Sequence, residues 1–154
     1  MTVQTKFEPV TKTMTVARGQ AEAFTYFARR VNDWWPKHTH SLGQEKTARV
    51  DFDPKAGGRF FETQDDGTEL QWGKVIVWDE PNKIIYSWHL SRPEDEATEV
   101  EVIFTALGDN ETRVDLIHRN WEKLGKDAET VRNQYNGGWD KVFGECFGGF
   151  AKAG

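Results

Sequence analysis

Two titratable residues lie in apolar stretches of the sequence, where a carboxylate and an imidazole could act together. His118 follows Val114 and Leu116 at a spacing of two, so it shares the apolar face of a predicted strand. Glu62 lies two positions after Phe60 and is expected to point to the same side as that ring. Such an acid and histidine can form a structural pair, anchor a polar group of a ligand, or serve as general acid and base. The sequence leaves these roles open, and the enzymatic one makes Glu62 and His118 the candidate catalytic residues.

The sequence "HTHS" at 38–41 raises the question of a metal site. His38 and His40 could supply nitrogens, and Asp33 or Glu45 could supply an oxygen. A zinc site needs three or four ligands that converge, which two histidines in a loop rarely provide. The sequence also lacks a phosphate-binding loop and a nucleophile elbow. We therefore predict no metal and no cofactor.

Tryptophan is abundant, with seven residues in a chain of 154. Many large rings indicate either a solid aromatic core or a cavity lined by rings. In the predicted strand 83–91, alternation places Tyr86 and Trp88 on one face. A bulge at Gly73 would turn Trp72 to the same side of the sheet. These rings are therefore predicted to face a common interior.

The last predicted helix carries a second aromatic row. Trp139, Phe143 and Phe147 are spaced by four residues and share one helix face. Gly137 and Gly138 precede the row, where they would allow either close packing against the sheet or a hinge that admits a ligand. The predicted ligand-lining residues are Trp35, Phe60, Glu62, Trp72, Tyr86, Trp88, His118, Trp139, Phe143 and Phe147.

The composition excludes several classes of partner. The chain has 25 acidic and 20 basic residues and a formal net charge of −5, whereas nucleic-acid-binding proteins present clustered basic surface. No stretch approaches the ~20 apolar residues of a membrane span, and residues 1–16 lack the pattern of a targeting segment. The single cysteine, Cys146, excludes an internal disulfide. We expect a cytoplasmic protein with no nucleic-acid partner and no integral membrane association.

Hydrophobic periodicity predicts the elements that position these residues. A strand over 9–17 precedes a helix over 20–31 and a short helix that ends before Pro36. Six strands follow at about 46–53, 58–64, 69–79, 83–91, 98–107 and 111–120, and then a helix at about 127–151. This order predicts a single α+β domain over 1–154, with a curved antiparallel sheet of about seven strands and a long helix across its concave face.

The sequence resembles the AHSA-like branch of the START/SRPBCC superfamily, named after activators of the heat-shock 90 ATPase. The resemblance lies in "AGGRFFETQDDGTELQWGKVIVWDEPNKIIYSWHL", "TEVEVIFTALGDNETRVDLIHRNWEKLG" and "NGGWDKVFGECFGGFA", with "WWP" and "THS" nearer the start. It implies a helix-grip fold with a deep apolar cavity between sheet and helix. The superfamily includes lipid carriers, polyketide cyclases, resistance proteins and co-chaperones, so it supplies no catalytic motif to carry over.

Three functions follow from the residues and the resemblance. The leading prediction is the binding or transport of an apolar small molecule, such as a lipid, a polyketide or another aromatic compound. The alternatives are a co-chaperone with a heat-shock 90 ATPase as partner, and a cyclase or hydrolase that uses Glu62 and His118. The name-giving activators usually carry a second domain, for which 154 residues leave no room. We expect a monomer or a weak homodimer.

Overall fold

The computed structural model describes residues 8–90 and 92–153. The strands are β1 Val10–Val16, β2 Thr47–Phe52, β3 Arg59–Gln64, β4 Glu69–Asp79, β5 Lys83–Trp88, β6 Thr98–Gly108 and β7 Glu111–Arg119. They form one antiparallel sheet of seven strands in the order β1-β7-β6-β5-β4-β3-β2. Strands β2 to β7 therefore form a meander, which confirms the predicted fold class.

The helices lie before β2 and after β7. They are α1 Gln20–Phe24, α2 Val31–Trp34, α3 Ala128–Trp139 and α4 Gly148–Ala153. Two stretches are π-helical. Thr25–Arg29 follows α1 and leads to α2, and Asp140–Phe147 joins α3 to α4. The spacing of apolar residues predicted both helical regions but not these wider turns, because a π-turn preserves a buried face while changing the hydrogen-bonding pattern.

The first helical region ends where the sequence predicts. Trp35 has an extended backbone, with φ −64° and ψ 130°, as expected for the residue before Pro36. This change of direction turns the Trp35 ring towards the sheet, where it packs against Phe60 and Trp72 at centroid distances of 5.8 and 5.3 Å. The proline thus helps to place an aromatic ring of the interior.

A bulge bends β4, as predicted at Gly73. Phe60 pairs with Gly73 and Phe61 pairs with Gln71, so Trp72 is the extra residue of β4. The bulge directs the Trp72 ring into the interior, where it is fully buried. A side chain at Gly73 has no space, because an added Cβ would lie 1.7 Å from the carbonyl oxygen of Ser87 on β5.

Aromatic rings fill most of the space between the sheet and the C-terminal helix. Phe60 stacks on Phe52 with a centroid distance of 3.9 Å, and Tyr86 meets Phe60 at 5.2 Å. Further along, Phe27 contacts Phe147 at 5.1 Å. These rings are almost completely buried, so the interior is a packed core over most of its length.

Across the described ranges, no helix has both the length and the apolar character needed to cross a membrane. Residues 1–7, where we expected no targeting segment, lie outside the described residues. Ser91, the last residue of the predicted strand 83–91, also lies outside the described residues. In the structure this strand is β5, which ends at Trp88.

Replacing Gly73 with alanine should strongly destabilise the fold. The added methyl group would overlap the Ser87 carbonyl and separate β4 from β5, so we expect a loss of about 3 kcal/mol in the free energy of unfolding. Gly137→Ala is the matched control, because its Cβ would meet no atom within 4 Å and should stabilise the helix by up to about 1 kcal/mol. Urea unfolding measures both changes, and equal stability of the two variants would contradict the close approach at Gly73.

Candidate functional site

The C-terminal helix and the end of the sheet leave a cleft of about 270 Å³ that is open to solvent on one side. Trp35, Trp88 and Trp139 form its apolar walls. His40 and Gln134 add polar groups at its edge. The remaining lining residues are Leu90, Tyr135, Gly138 and Val142.

The three indoles of the cleft pack against one another at their edges. Trp35 lies 5.9 Å from Trp88 and 6.3 Å from Trp139 between ring centroids. The Trp88 N–H donates to the Tyr135 hydroxyl at 2.7 Å, and the Trp35 N–H donates to the His40 carbonyl at 2.8 Å. Because these donors already have protein partners, Trp35 and Trp88 offer the cleft mainly apolar surface.

His118 lies behind the cleft in a chain of hydrogen bonds. The Trp139 N–H donates to Nδ1 of His118 at 3.0 Å. An indole N–H can only donate, so the neutral imidazole carries its hydrogen on Nε2 and donates it to Thr98 Oγ1 at 2.7 Å. Thr98 in turn donates to the carbonyl of Trp88 at 3.2 Å. The Trp121 N–H donates to the His118 carbonyl at 3.0 Å, which joins the segment after β7 to the same network.

His118 is neutral because it is buried. It has no exposed surface, and burial lowers its pKa to about 3. The ring also packs against Trp121 at a centroid distance of 4.1 Å. A charged imidazole would lose the hydrogen bond that Nδ1 accepts from Trp139, so the network requires the neutral form.

Glu62 anchors the loop that precedes β2. Its carboxylate accepts hydrogen bonds from the Leu42 N–H at 2.6 Å, the Gly43 N–H at 2.9 Å and the Thr47 hydroxyl at 2.8 Å. The Trp72 N–H donates to the same group at 2.7 Å. Burial by itself raises the pKa of Glu62, but these four donors outweigh it and hold the pKa below its usual value. Glu62 is therefore a buried carboxylate with protein partners.

The structure does not bring Glu62 and His118 into a pair. Glu62 lies on β3 and His118 on β7, with β4, β5 and β6 between them in the sheet. Four strand spacings correspond to roughly 19 Å along the sheet. The alternation of each strand correctly placed both residues on the inner face, but it carried no information on their separation across the sheet.

Only part of the predicted ligand-lining set borders the cleft, namely Trp35, Trp88 and Trp139. The others lie in the packed core: Phe60, Glu62, Trp72, Tyr86, His118, Phe143 and Phe147. Among the described residues, the Tyr86 hydroxyl has no hydrogen-bond partner, and burial raises its pKa.

The cleft also contains residues that the sequence analysis missed. Tyr135, Gln134 and Gly138 come from α3, one turn before or beside Trp139. A signal was available for Tyr135, which lies four positions before Trp139 on the same helix face, but not for Gln134 and Gly138, which lie five positions and one position before it. Leu90 gave a signal of another kind, because it continues the spacing of two that links Tyr86 and Trp88, although in the structure it follows β5 and has a left-handed backbone with φ 52°.

The possible metal ligands do not converge. His38 and Glu45 are exposed, His40 borders the cleft, and Asp33 binds Arg30 at 2.8 Å. Within residues 8–90 and 92–153, no three His, Cys, Asp or Glu side chains are grouped so that they could hold a metal ion.

A curved sheet of seven antiparallel strands that holds a C-terminal helix defines a helix-grip protein of the START/SRPBCC type. Within that class, the chain belongs to the family described as activator of Hsp90 ATPase homolog 1-like protein, whose model matches residues 22–146. This finding confirms the resemblance seen in the sequence. A comparison with curated proteins found no significant match.

Two solved structures with related sequences are named as a synthase and as a resistance protein. The anthrahydroquino-gamma-pyrone synthase Txn09 is 31% identical, with a TM-score of 0.58 over 85% of this chain and 88% of that one. The self-sacrificing resistance protein CalC from Micromonospora echinospora is 27% identical, with a TM-score of 0.68 over 94% of each chain. CalU16 from the same organism, at 17% identity and a TM-score of 0.61 over 91% of this chain and 71% of that one, shares the fold.

Acidification should destabilise the fold through His118. Its folded pKa of about 3 lies below the unfolded value of ~6.5, so the unfolded chain binds the proton first and stability falls as the pH drops from about 6.5 towards 3. This linkage amounts to about 1.4 kcal/mol between pH 7.5 and 5.5. Urea unfolding at both pH values should show the loss in the wild type and a much smaller loss in His118→Phe. His40→Asn is the control, because burial and Lys141 also lower the pKa of His40. A His118→Phe protein as acid-sensitive as the wild type would contradict this assignment.

Replacing Glu62 with glutamine should free the loop that it holds. The variant replaces one accepting carboxylate oxygen with an NH₂ group, which can only donate, whereas the surrounding protein groups are all donors. Each hydrogen bond to the charged carboxylate that is lost is worth about 1.5–3 kcal/mol. The amides of Leu42 and Gly43 should then exchange with solvent at least about tenfold faster, as measured by NMR. Glu69→Gln is the matched control, because Glu69 is exposed and bound only to Arg59. Unchanged exchange at Leu42 and Gly43 in Glu62→Gln would rule out the anchor role.

Proposed function

We propose that this protein binds a planar aromatic small molecule in the cleft between Trp35, Trp88 and Trp139. The observation that carries the proposal is the cleft itself, whose walls are three indoles with their centroids about 6 Å apart. Flat apolar walls favour a ligand with a flat apolar face. The carboxylates and guanidinium groups of the described chain do not line this cleft, so an uncharged ring system suits it.

The size of the cleft sets the size of the ligand. A volume of about 270 Å³ lies just below the usual range for small-molecule pockets, which begins at ~300 Å³. Because one side is open, a system of two or three fused rings can lie against the indoles and leave one edge in solvent. A long lipid chain would need the interior of the grip, which aromatic side chains occupy.

The related structures support an aromatic ligand. Txn09 is named as a synthase of an anthrahydroquino-gamma-pyrone, which is a fused aromatic system, and it shares 31% of its residues with this chain. The proposed ligand is therefore a polyketide-like aromatic compound.

The geometry supports binding rather than catalysis by Glu62 and His118. Both side chains are fully buried, do not line the cleft, and are hydrogen-bonded to protein groups. A general base must reach the proton that it removes, directly or through one water. The co-chaperone alternative stays a prediction that rests on the family's description.

Gly138 offers a way to close the cleft without disturbing the core. It lines the cleft, and an added Cβ would meet no atom within 4 Å. Gly137, the preceding residue, also has free space around its Cβ position but does not line the cleft. The close-packing explanation for this glycine pair is therefore wrong, whereas the hinge explanation stays a prediction.

Leucine at Gly138 should abolish binding while preserving the fold. Its side chain would fill the cleft, whereas leucine at Gly137 would not, and both substitutions should stabilise α3 by about 0.8 kcal/mol through helix propensity. We expect 9-fluorenone, an uncharged system of three fused rings, to quench the tryptophan fluorescence of the wild type and of Gly137→Leu. The dissociation constant of Gly138→Leu should be at least about tenfold higher. Equal binding by the two variants would place the ligand elsewhere, and no binding by the wild type would refute the proposed function for this class of probe.

A further inference from the structure

A second, smaller cleft of about 200 Å³ adjoins the first. Trp88, Leu90, Gln134 and Tyr135 line both clefts. The two spaces therefore lie on either side of a common wall, and a ligand held between the indoles can extend a substituent past it. His89 lines only the second cleft.

The His89 ring lines this second cleft and carries an unpaired acceptor. Its Nδ1 lies 3.2 Å from the carbonyl oxygen of Leu90. A carbonyl can only accept, so Nδ1 carries the hydrogen of the neutral ring and Nε2 presents its lone pair. Nε2 is buried and has no hydrogen-bond partner among the described residues. A buried polar atom without a partner costs about 1–3 kcal/mol, so a bound group that satisfied it would gain affinity.

The backbone fixes the position of His89. The N–H groups of His89 and Leu90 both donate to the carbonyl of Trp72, at 2.8 and 3.0 Å. Leu90 then adopts a left-handed backbone with φ 52°, which is unfavourable for a leucine. Such strain is held in place by its surroundings and is concentrated at functional sites.

The neighbouring polar groups in the second cleft already have partners. Thr98 Oγ1 lies 2.7 Å from His118 and donates to the Trp88 carbonyl at 3.2 Å. The Tyr135 hydroxyl accepts the Trp88 N–H at 2.7 Å. Thr98 could supply the missing donor only by giving up its bond to Trp88, and the Tyr135 hydroxyl, which keeps its own hydrogen, makes no hydrogen bond to Nε2 of His89.

The charge around the second cleft argues against an anionic ligand group. Arg92 is bound to Glu96 at 3.1 Å and to Asp127 at 3.3 Å. Two carboxylates thus offset one guanidinium, and no net positive charge is left for an anion. Together with a lone pair on His89, this arrangement favours a neutral hydrogen-bond donor.

We propose that the aromatic ligand carries a hydroxyl group that reaches past Trp88 and Tyr135 and donates a hydrogen bond to Nε2 of His89. This inference rests on the proposed function, because it assigns the second cleft to the same ligand. The ligand class is therefore a phenol or a related hydroxylated aromatic compound.

The test compares 2-naphthol with 2-methoxynaphthalene, which has the same ring system but no hydroxyl donor. Ligand-observed NMR titrations would give both dissociation constants. We expect the wild type to bind 2-naphthol about 2- to 13-fold more tightly, the range that one hydrogen bond provides. A site that recognised only apolar surface would instead bind the larger methoxy compound more tightly.

His89→Phe removes the acceptor while keeping a ring. We expect this variant to lose the preference for 2-naphthol and to bind 2-methoxynaphthalene within about twofold of the wild type. His38→Phe is the matched control, because His38 is exposed and lines neither cleft, and it should keep the preference. If His89→Phe does not fold, His89→Gln tests the same point, since its amide oxygen can accept the hydroxyl and should retain part of the preference.

Two results would overturn the inference and leave the proposed function intact. The first is equal binding of both naphthalenes by the wild type, or binding of neither, while 9-fluorenone still binds Gly137→Leu more tightly than Gly138→Leu. The second is an unchanged preference for 2-naphthol in His89→Phe. Failure of 9-fluorenone to bind the wild type would instead contradict the proposed function on which the inference rests.

Discussion

A neutral histidine joins the C-terminal helix to the sheet, and the walls of the cleft depend on that bond. Trp139 comes from the helix and Trp88 from β5, and the chain through His118 and Thr98 links the indole of one to the backbone of the other. Directional bonds of this kind fix orientation in a way that ring packing does not. The distance between the two indoles is therefore set by a polar network inside an otherwise apolar interior.

The remainder of the interior is filled rather than hollow, and this determines where a ligand can bind. Rings such as Phe60, Trp72 and Tyr86 occupy the region in which the family resemblance implied a deep cavity. The space that remains lies at one end of the grip, where α3 approaches the end of β5. A cleft at the end of the space between the helix and the sheet suits flat ligands that need only partial burial.

The sequence predicted the strands, their meander and the residues that face inwards, because alternation and helical spacing report directly on which side of an element a residue lies. It predicted the bulge at Gly73 for the same reason. It could not predict that Phe143 and Phe147 would lie in the core while Trp139 borders a cleft, although all three share one helix face. That difference depends on how the side chains of the sheet and of the C-terminal helix fill the space between them. The periodicity of a sequence carries no information on this packing. The position of His89 beside the second cleft was not predicted either, because His89 follows the end of β5 at Trp88, where strand alternation no longer reports which way a side chain points.

The space beside Gly138 has an evolutionary consequence. Most changes that reshape a binding site also disturb the packing around it, so new specificity usually costs stability. At this position a larger residue would alter the depth of the cleft and at the same time improve the helix, because the glycine meets no neighbour within 4 Å. Selection for a different ligand can therefore proceed through this position without a compensating mutation, and related chains are free to differ here while keeping the same fold.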